Sequence, residues 1–304
     1  MSRVRDVFSL LESIKNQSCE SIEVVFVVER TAELLERIRM FIEEIGLQNT
    51  KLLFNDGERG LSSSRNLALR EVKGEVVAFV DDDVILPKDW AKLMVHAYEL
   101  DSTVVGVAGP ALPAWEDVQM RWFPHEFEWI ISCTGWVTPN VRQSIRNVWG
   151  ANFSFKRDVF QKCGTFSTRH GFPKGTYEGF LGEDNEFSMR AVQMTKGLIV
   201  YEPGVWVAHR IHKGKLTWRF ILRRSFWMGY SRRLLKKSYV TTSDNILSPE
   251  SKLVREVLVS FFPDTLKRIV HSPRDSLKRL ILALFTLLSV SLGYAYGFSA
   301  KVQP

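Results

Sequence analysis

Three adjacent carboxylates, Asp81, Asp82 and Asp83, close the apolar run Val76-Val77-Ala78-Phe79-Val80 and lead into Val84-Ile85-Leu86-Pro87. Like charges this close repel by roughly 1 kcal/mol or more per pair unless a cation offsets them. A hard divalent cation takes oxygen ligands, and a diphosphate is its natural companion. On a continuing strand Asp81 and Asp83 point to one side and Asp82 to the other. The triplet could equally cap a turn before Pro87. In open α/β sheets, however, ligands bind beyond the carboxyl ends of the strands, where an apolar run ending in carboxylates would hold them.

Three other groups could carry chemistry. In "GFLGEDNEFSMR" (residues 179–190) a glycine-containing loop ends at Glu183 and Asp184, and Phe187, Met189 and Ala191 indicate that a further element follows. Carboxylates suit the first turn of a helix, so capping alone could account for the acidic pair. His209 ends the apolar run Val205-Trp206-Val207-Ala208; it is either a satisfied structural residue or, if the Asp triplet holds a metal, an imidazole that completes the sphere. Arg65 and Asn66 come early in "GLSSSRNLAL" after serine caps. There Arg65 could offset phosphate charge, or simply be an exposed helical arginine.

These residues need elements to position them. Ile22–Val28 is short, β-branched and apolar, as a buried parallel strand would be. Ala32–Ile45 carries Leu34, Leu35, Ile38, Phe41, Ile42 and Ile45 at helical spacing. Lys51–Phe54 predicts a strand, Ser62 to Arg70 a helix, and Val76–Val80 and Val104–Ala108 two more strands. Strands and helices alternating at this spacing give an α/β sheet built from crossover units. Between about 110 and 205 the periodicity fades and aromatics take over, among them Trp115, Trp122, Trp129, Trp136 and Trp149. Such a region more often shapes a site than builds a scaffold. Met1–Glu12 is helix-like from its start, where a nucleotide-binding sheet normally opens with a strand.

With 304 residues, 45% hydrophobic and 25% charged, the chain can bury a sizeable core and is globular, not disordered. Its net charge of +7 is local: His209–Lys237 holds ten Lys/Arg and no acid, leaving the remainder at −3. That segment also steps Leu216, Phe220, Trp227, Tyr230 and Leu234 along one helical face, which predicts a basic amphipathic helix on a membrane surface. Leu280–Phe298 is uncharged and would span about 28 Å as a helix, at the short edge of a bilayer core. Lys278 and Arg279 ahead of it would keep its N-terminal side cytoplasmic; a buried helix or an interfacial hairpin is the alternative. Nucleic acid, which so basic a segment could also bind, is not expected as a partner. Three cysteines, Cys19, Cys133 and Cys163, argue against a disulfide framework or a zinc ribbon, and no charged-then-apolar leader opens the chain.

In combination these motifs resemble the family 2-type glycosyltransferases of GT-A fold, over about residues 5 to 235. The residues that carry the resemblance are Glu29 after "IEVVFVV", "GLSSSRNLAL", "VAFVDDDVILPKDW" as an Asp-x-Asp motif, "WGANFSFKRDVF", "GEDNEFSMR" and the histidine of "VWVAHR". The resemblance implies an α/β, Rossmann-like mixed sheet with helices on both faces, and the residue patterns place amphipathic and hydrophobic helices after it. Taken with the basic and apolar patterning of the C-terminal part, it predicts a catalytic domain at 1–212 with its first strand missing, a basic amphipathic helical region at 213–279 and a hydrophobic membrane-associated tail at 280–304. By residue, it implies Asp184 as general base with Glu183 beside it. Glu29, Arg65, Asp81 and Asp82 would serve the nucleotide-sugar donor, Asp83 and His209 the metal, Mg²⁺ or Mn²⁺, and Trp149 and Asn152 the acceptor region.

The expected reaction is inverting transfer of a sugar, such as a hexose or hexuronic acid, to a membrane-held polyprenyl or dolichyl phosphate or a lipid-linked glycan. It would take place on the cytoplasmic side, as in archaeal-type enzymes that extend dolichyl-phosphate glycans. The family's first strand, with its Thr-Tyr-Asn segment, is not found before Val7: either the fold is complete without it, or the start lies too late. The Gln-x-x-Arg-Trp signature of processive synthases is also missing, with "RRSFW" (223–227) only a distant echo, so single transfer is expected over polymerisation. A catalytically silent module that binds nucleotide sugar or a partner at the membrane is the alternative.

Overall fold

The β-branched and aromatic run Val-Val-Phe-Val-Val favours extended backbone and forms β1 (Val24–Glu29). Helix α1 (Ser2–Lys15) precedes it, and α2 (Ala32–Ile45) follows with the periodicity expected of it. β2 (Thr50–Asn55) then pairs parallel with β1, Val24 opposite Thr50 and Glu29 opposite Asn55. Val7 and Leu11 of α1 and Ile38 of α2 bury against Val28. Among the described residues β1 has β2 as its only strand partner. The structure, a computed structural model, describes residues 2–134, 140–168, 182–239, 255 and 257–299. Trp136 and residues 179–181 of the acidic stretch lie outside them.

After α3 (Leu61–Leu69) come β3 (Val76–Val80), β4 (Val84–Ile85), α4 (Trp90–Glu99), β5 (Val104–Ala108) and β6 (Ala111–Trp115). The aromatic-rich stretch beyond them is more regular than its periodicity predicts. It contributes β7 (Gln143–Ile145), β8 (Asn152–Lys156), α5 (Arg157–Cys163), α6 (Glu183–Thr195) and β9 (Leu198–Tyr201), and β10 (Val207–Ile211) follows. The main sheet has the order β3-β8-β5-β9-β7, and a smaller one has the order β4-β10-β6. The main sheet is mixed: β5 and β9 are parallel, whereas β8 runs antiparallel to both β3 and β5, and β7 to β9. Beneath β3 and β8 the rings of Phe79, Phe153, Phe155, Phe160, Phe166 and Phe187 form one aromatic cluster.

The chain divides into two compact units. The first takes the described residues up to Ala114, those between Ser132 and Thr176, and Gly182–Arg210. The second takes Trp115–Ile131 and the described residues from Ile211 onward. It contains 3-10 turns at Val118–Trp122, His125–Ile131 and Lys213–Leu216, a π-turn at Val257–Phe261, and helices α7 (Trp218–Tyr239), α8 (Phe262–Arg268) and α9 (Pro273–Tyr296). α7 and α9 approach at two glycines. A Cβ on Gly229 would sit 2.0 Å from the Val290 carbonyl oxygen, and one on Gly293 1.8 Å from that of Phe226. Small residues at such a crossing let helix backbones touch, and Ser289 Oγ donates to the Leu222 carbonyl oxygen at 2.7 Å.

This crossing alters the face expected of α7. Its buried positions are Ile221, Ser225, Gly229, Ser231 and Leu235, whereas Phe220, Trp227, Tyr230 and Leu234 are only half-covered. Packing against α9 selects the small residues, which a search for an apolar stripe passes over. α9 is long and apolar enough to cross a membrane, with mean hydropathy 1.6 and one third of its apolar window buried. Leu284, Phe285, Leu288 and Leu292 on it are exposed.

Candidate active site

β3 stops at Val80, and Asp81–Asp83 lead through a turn into β4. Strand alternation therefore does not set the directions of the three carboxylates. Asp81 and Asp83 converge all the same, with Asp82 exposed, because β10 holds the far side of the turn. β10 pairs antiparallel with β4, placing His209 opposite Val84, and the Arg210 N–H donates to the Asp83 carbonyl oxygen at 2.9 Å. The Arg210 guanidinium reaches back to α1, to Asp6 Oδ1 and Ser9 Oγ at 2.9 Å each.

His209 Nε2 consequently lies 3.0 Å from Asp83 Oδ1. One ligand atom each from Asp81, Asp83 and His209 fall within 4.8 Å of one another. The buried imidazole has its other nitrogen, Nδ1, 3.2 Å from the Ser132 carbonyl oxygen and 3.6 Å from Cys133 Sγ. A proton on Nδ1 donated to that carbonyl leaves the Nε2 lone pair facing the carboxylates, the tautomer a metal ligand needs. Ser132 presents its carbonyl from a left-handed backbone, φ 62°, a conformation that costs a non-glycine residue and tends to persist at functional sites. Two carboxylate oxygens and one imidazole nitrogen suit a divalent cation that takes its remaining ligands from phosphate or water. Burial pushes the Asp81 carboxyl from its ordinary 3.8 up to about 6; Arg65 opposes that shift, Asp83 adds to it, His209 opposes it and Asp82 adds to it.

Behind the triplet Arg65, in α3, is only 7% exposed. Its Nη1 donates to Glu183 Oε1 at 3.0 Å and its Nη2 to the Gly150 carbonyl oxygen at 3.0 Å, with Nη2 3.9 Å from Asp81 Oδ1. The guanidinium also rests 5.1 to 5.7 Å from the ring centres of Phe79, Phe153 and Phe166, a favourable cation–π setting. Glu183 opens α6, and its side chain is 8% exposed. The helix starts from Gly182 at φ 127°, a conformation that excludes most other residues. The next residue, Asp184, is half-exposed: its Oδ1 accepts from the Asn185 N–H at 2.8 Å, and its Oδ2 passes over the Cα of Gly150, 3.5 Å from where a Cβ would stand. One continuous layer thus runs from His209 and Asp83 through Asp81 and Arg65 to Glu183, Gly150 and Asp184.

The sequence profile of glycosyl transferase family 2 matches residues 8–164, just over half of the chain. The chain belongs to glycosyl transferase family 2. The glucosyl-dolichyl phosphate glucuronosyltransferase of Haloferax volcanii is 29% identical to it over 299 residues, covering 98% of this chain and 93% of that protein. Among solved structures, the mannosyltransferase PcManGT from Pyrobaculum calidifontis in complex with GDP-Man and Mn²⁺ is similar, with a TM-score of 0.61 at 16% identity, covering 96% of this chain and 84% of that one. GalNAc-T7 with UDP, GalNAc and Mn²⁺ gives a TM-score of 0.50 at 15% identity, covering 81% of this chain and 50% of that one. These likenesses establish the GT-A fold that the motifs implied.

Several residues of this family 2 glycosyltransferase stand elsewhere than expected. Asn152 does not face an acceptor: it is 1% exposed, its Nδ2 donates to the carbonyls of Pro110 and Val205 at 3.2 and 2.6 Å, and its Oδ1 accepts from Trp90 Nε1 at 3.0 Å. Its amide is consumed in joining β8 to two loops. Arg65 is not an outward phosphate ligand; it is a buried bridge between Asp81 and Glu183. Glu183 is accordingly held by Arg65 and does not share the half-open position of Asp184. Trp149 is half-buried, edge-on to Tyr201 at 6.0 Å. Glu29 sits at the carboxyl end of β1, where its Oε2 accepts from the Gly60 N–H at 2.9 Å and ties down the loop before α3. The carbonyl of Ser132 escaped notice, since a backbone oxygen 77 residues from His209 leaves no trace in side-chain patterns.

Proposed function

We propose that the protein moves a sugar from a nucleotide donor, with inversion, to an acceptor held at the membrane by a polyprenyl phosphate of dolichyl type. The observation that carries this reading is the convergence of Asp81, Asp83 and His209 at the end of β3. When bound there, a divalent cation would neutralise charge on the departing nucleoside diphosphate. Mn²⁺ is the favoured ion, with Mg²⁺ as substitute, because an imidazole joins the carboxylates and both solved relatives carry Mn²⁺.

Asp81, Asp83 and His209 hold the cation, and Asp82 and Glu29 serve the donor beside it. Asp184 takes the proton of the acceptor hydroxyl, and Arg65 with Glu183 fixes the distance between donor half and base. A phosphate oxygen is already anionic and needs no base. A base at Asp184 therefore favours a lipid-linked glycan hydroxyl over bare lipid phosphate as nucleophile. The name of the 29% identical relative, which acts on a glucosyl-dolichyl phosphate, supports that acceptor and a hexuronic acid as the sugar. The domain at 1–212 would do this chemistry on the cytoplasmic side, with residues 213–237 and 280–298 as the membrane contacts.

The test is transfer from UDP-, GDP- and dTDP-linked hexoses and hexuronic acids to a short-chain glycosyl polyprenyl phosphate, with and without Mn²⁺, reading the new linkage by NMR. The reading expects a metal-dependent product with the anomeric configuration opposite to the donor. A retained configuration would contradict single displacement. Donor binding without transfer by any donor would instead make the protein a nucleotide-sugar-binding module.

A further inference from the structure

The start of α7 has a more definite shape than a membrane contact requires. Gly214, Thr217, Arg219, Phe220, Arg223 and Arg224 line a recess of about 320 Å³, the size of a small-molecule site. None of these six is acidic, and three are arginines. Arg219 and Arg223 stand one helical turn apart, so both side chains can reach one anion in the recess. Guanidinium groups grip phosphate through paired N–H donors. The first-turn amides of α7 lack intrahelical acceptors and add positive potential at the same end. The rest of the wall is apolar, formed by the Phe220 ring and the stems of the arginines.

We propose that this recess binds the phosphate of a lipid phosphate, with the first apolar carbons of the lipid against Phe220. Its role as the acceptor's phosphate site rests on the reading of the acceptor as a polyprenyl-phosphate-linked glycan. A free phosphate would use the arginines and leave the apolar wall without a contact. A lipid phosphate uses both.

The full-length protein in zwitterionic nanodiscs is titrated with farnesyl phosphate, farnesol and inorganic phosphate by ³¹P NMR and calorimetry. Farnesyl phosphate should bind at least about tenfold more tightly than either fragment. Arg219→Gln and Arg223→Gln should each weaken it by about tenfold while leaving Mn²⁺ and donor binding unchanged. Arg219 is exposed, so its variant folds even if Arg223→Gln does not, and Arg219→Glu should abolish binding. In the transfer assay the same variants should raise the acceptor KM without lowering kcat in parallel.

Folded variants that bind farnesyl phosphate as the wild type does, or farnesol bound as tightly as its phosphate, would overturn the site. Loss of flotation on phosphatidylglycerol vesicles with unchanged farnesyl phosphate binding would also overturn it, marking the arginines as a headgroup contact. If farnesyl phosphate binds through these arginines but no lipid-linked acceptor is ever glycosylated, the recess stands and the acceptor reading falls. If transfer proceeds with unaltered acceptor KM in the variants, the reading stands and the recess falls.

Discussion

His209 Nε2 lies 3.0 Å from Asp83 Oδ1 while its Nδ1 faces the Ser132 carbonyl oxygen at 3.2 Å. The imidazole is thereby locked with one nitrogen toward the fold and the other toward the carboxylates. Removing a ligand from a three-residue set should be severe. His209→Ala and Asp83→Ala are each expected to weaken Mn²⁺ binding at least about tenfold, read from free Mn²⁺ by electron paramagnetic resonance. Exposed Asp82 provides the contrast, and Asp82→Ala should leave Mn²⁺ affinity unchanged.

Metal binding should also follow pH through Asp81, whose carboxyl is pushed up to about 6 in the metal-free protein. Because the folded value lies above the ordinary 3.8, protonation of Asp81 favours the fold. That contribution is complete below about pH 4 and lost as the pH rises through about 6. A cation requires the carboxylate, so its affinity runs the other way. Below pH 6 the apparent Mn²⁺ Kd should weaken by about tenfold per pH unit on account of Asp81, and above it this dependence should level off. Mn²⁺ titrations between pH 5 and 8 check the slope.

The Arg65–Glu183 pair is buried on both sides, at 6% and 8% side-chain exposure. Deleting one partner leaves a buried charge without its counterpart, which typically costs about 3–5 kcal/mol. Arg65→Ala should lower unfolding stability by about that amount in urea titrations. The double variant Arg65→Met/Glu183→Leu should recover much of the loss while transfer stays impaired, because the pair also spaces Asp81 from the head of α6.

At the α7–α9 crossing no side chain larger than hydrogen fits at Gly229 or Gly293 without displacing a backbone carbonyl. Gly293→Val should separate the two helices and raise the susceptibility of this unit to limited proteolysis. The Mn²⁺ affinity of the other unit should not change.

Much of this architecture was open to inspection in the residues themselves. Helix α2 falls on Ala32–Ile45 as its apolar spacing predicts, and β3 and β5 fall on the runs read for them. β8 was concealed because it is a central strand with polar residues buried in it. Ser154 is fully buried and hydrogen-bonded to the Tyr98 hydroxyl at 2.8 Å, and Asn152 is spent on two carbonyls and an indole. Such residues read as loop in a sequence, since their partners are distant. The cluster of Asp81, Asp83 and His209 has its sequence trace in Asp-x-Asp plus a late histidine. Its true cause, the pairing of His209 with Val84, is a tertiary fact. Arg65 could be noticed but not placed, because only the fold brings α3 against α6. The α7–α9 crossing was missed for a related reason: Gly229 and Gly293 contribute no hydrophobicity, only proximity.

The central claim is that Asp184 accepts the acceptor's proton beside a separately assembled donor and metal site. Asp184→Asn keeps the shape and the position over Gly150 but removes the basicity. Single-turnover transfer with saturating Mn²⁺ and donor, measured alongside donor and Mn²⁺ affinities on the same sample, tests the claim most directly. Transfer should be abolished while both affinities stay near those of the wild type. An Asp184→Asn enzyme that still transfers sugar at the wild-type rate would contradict it.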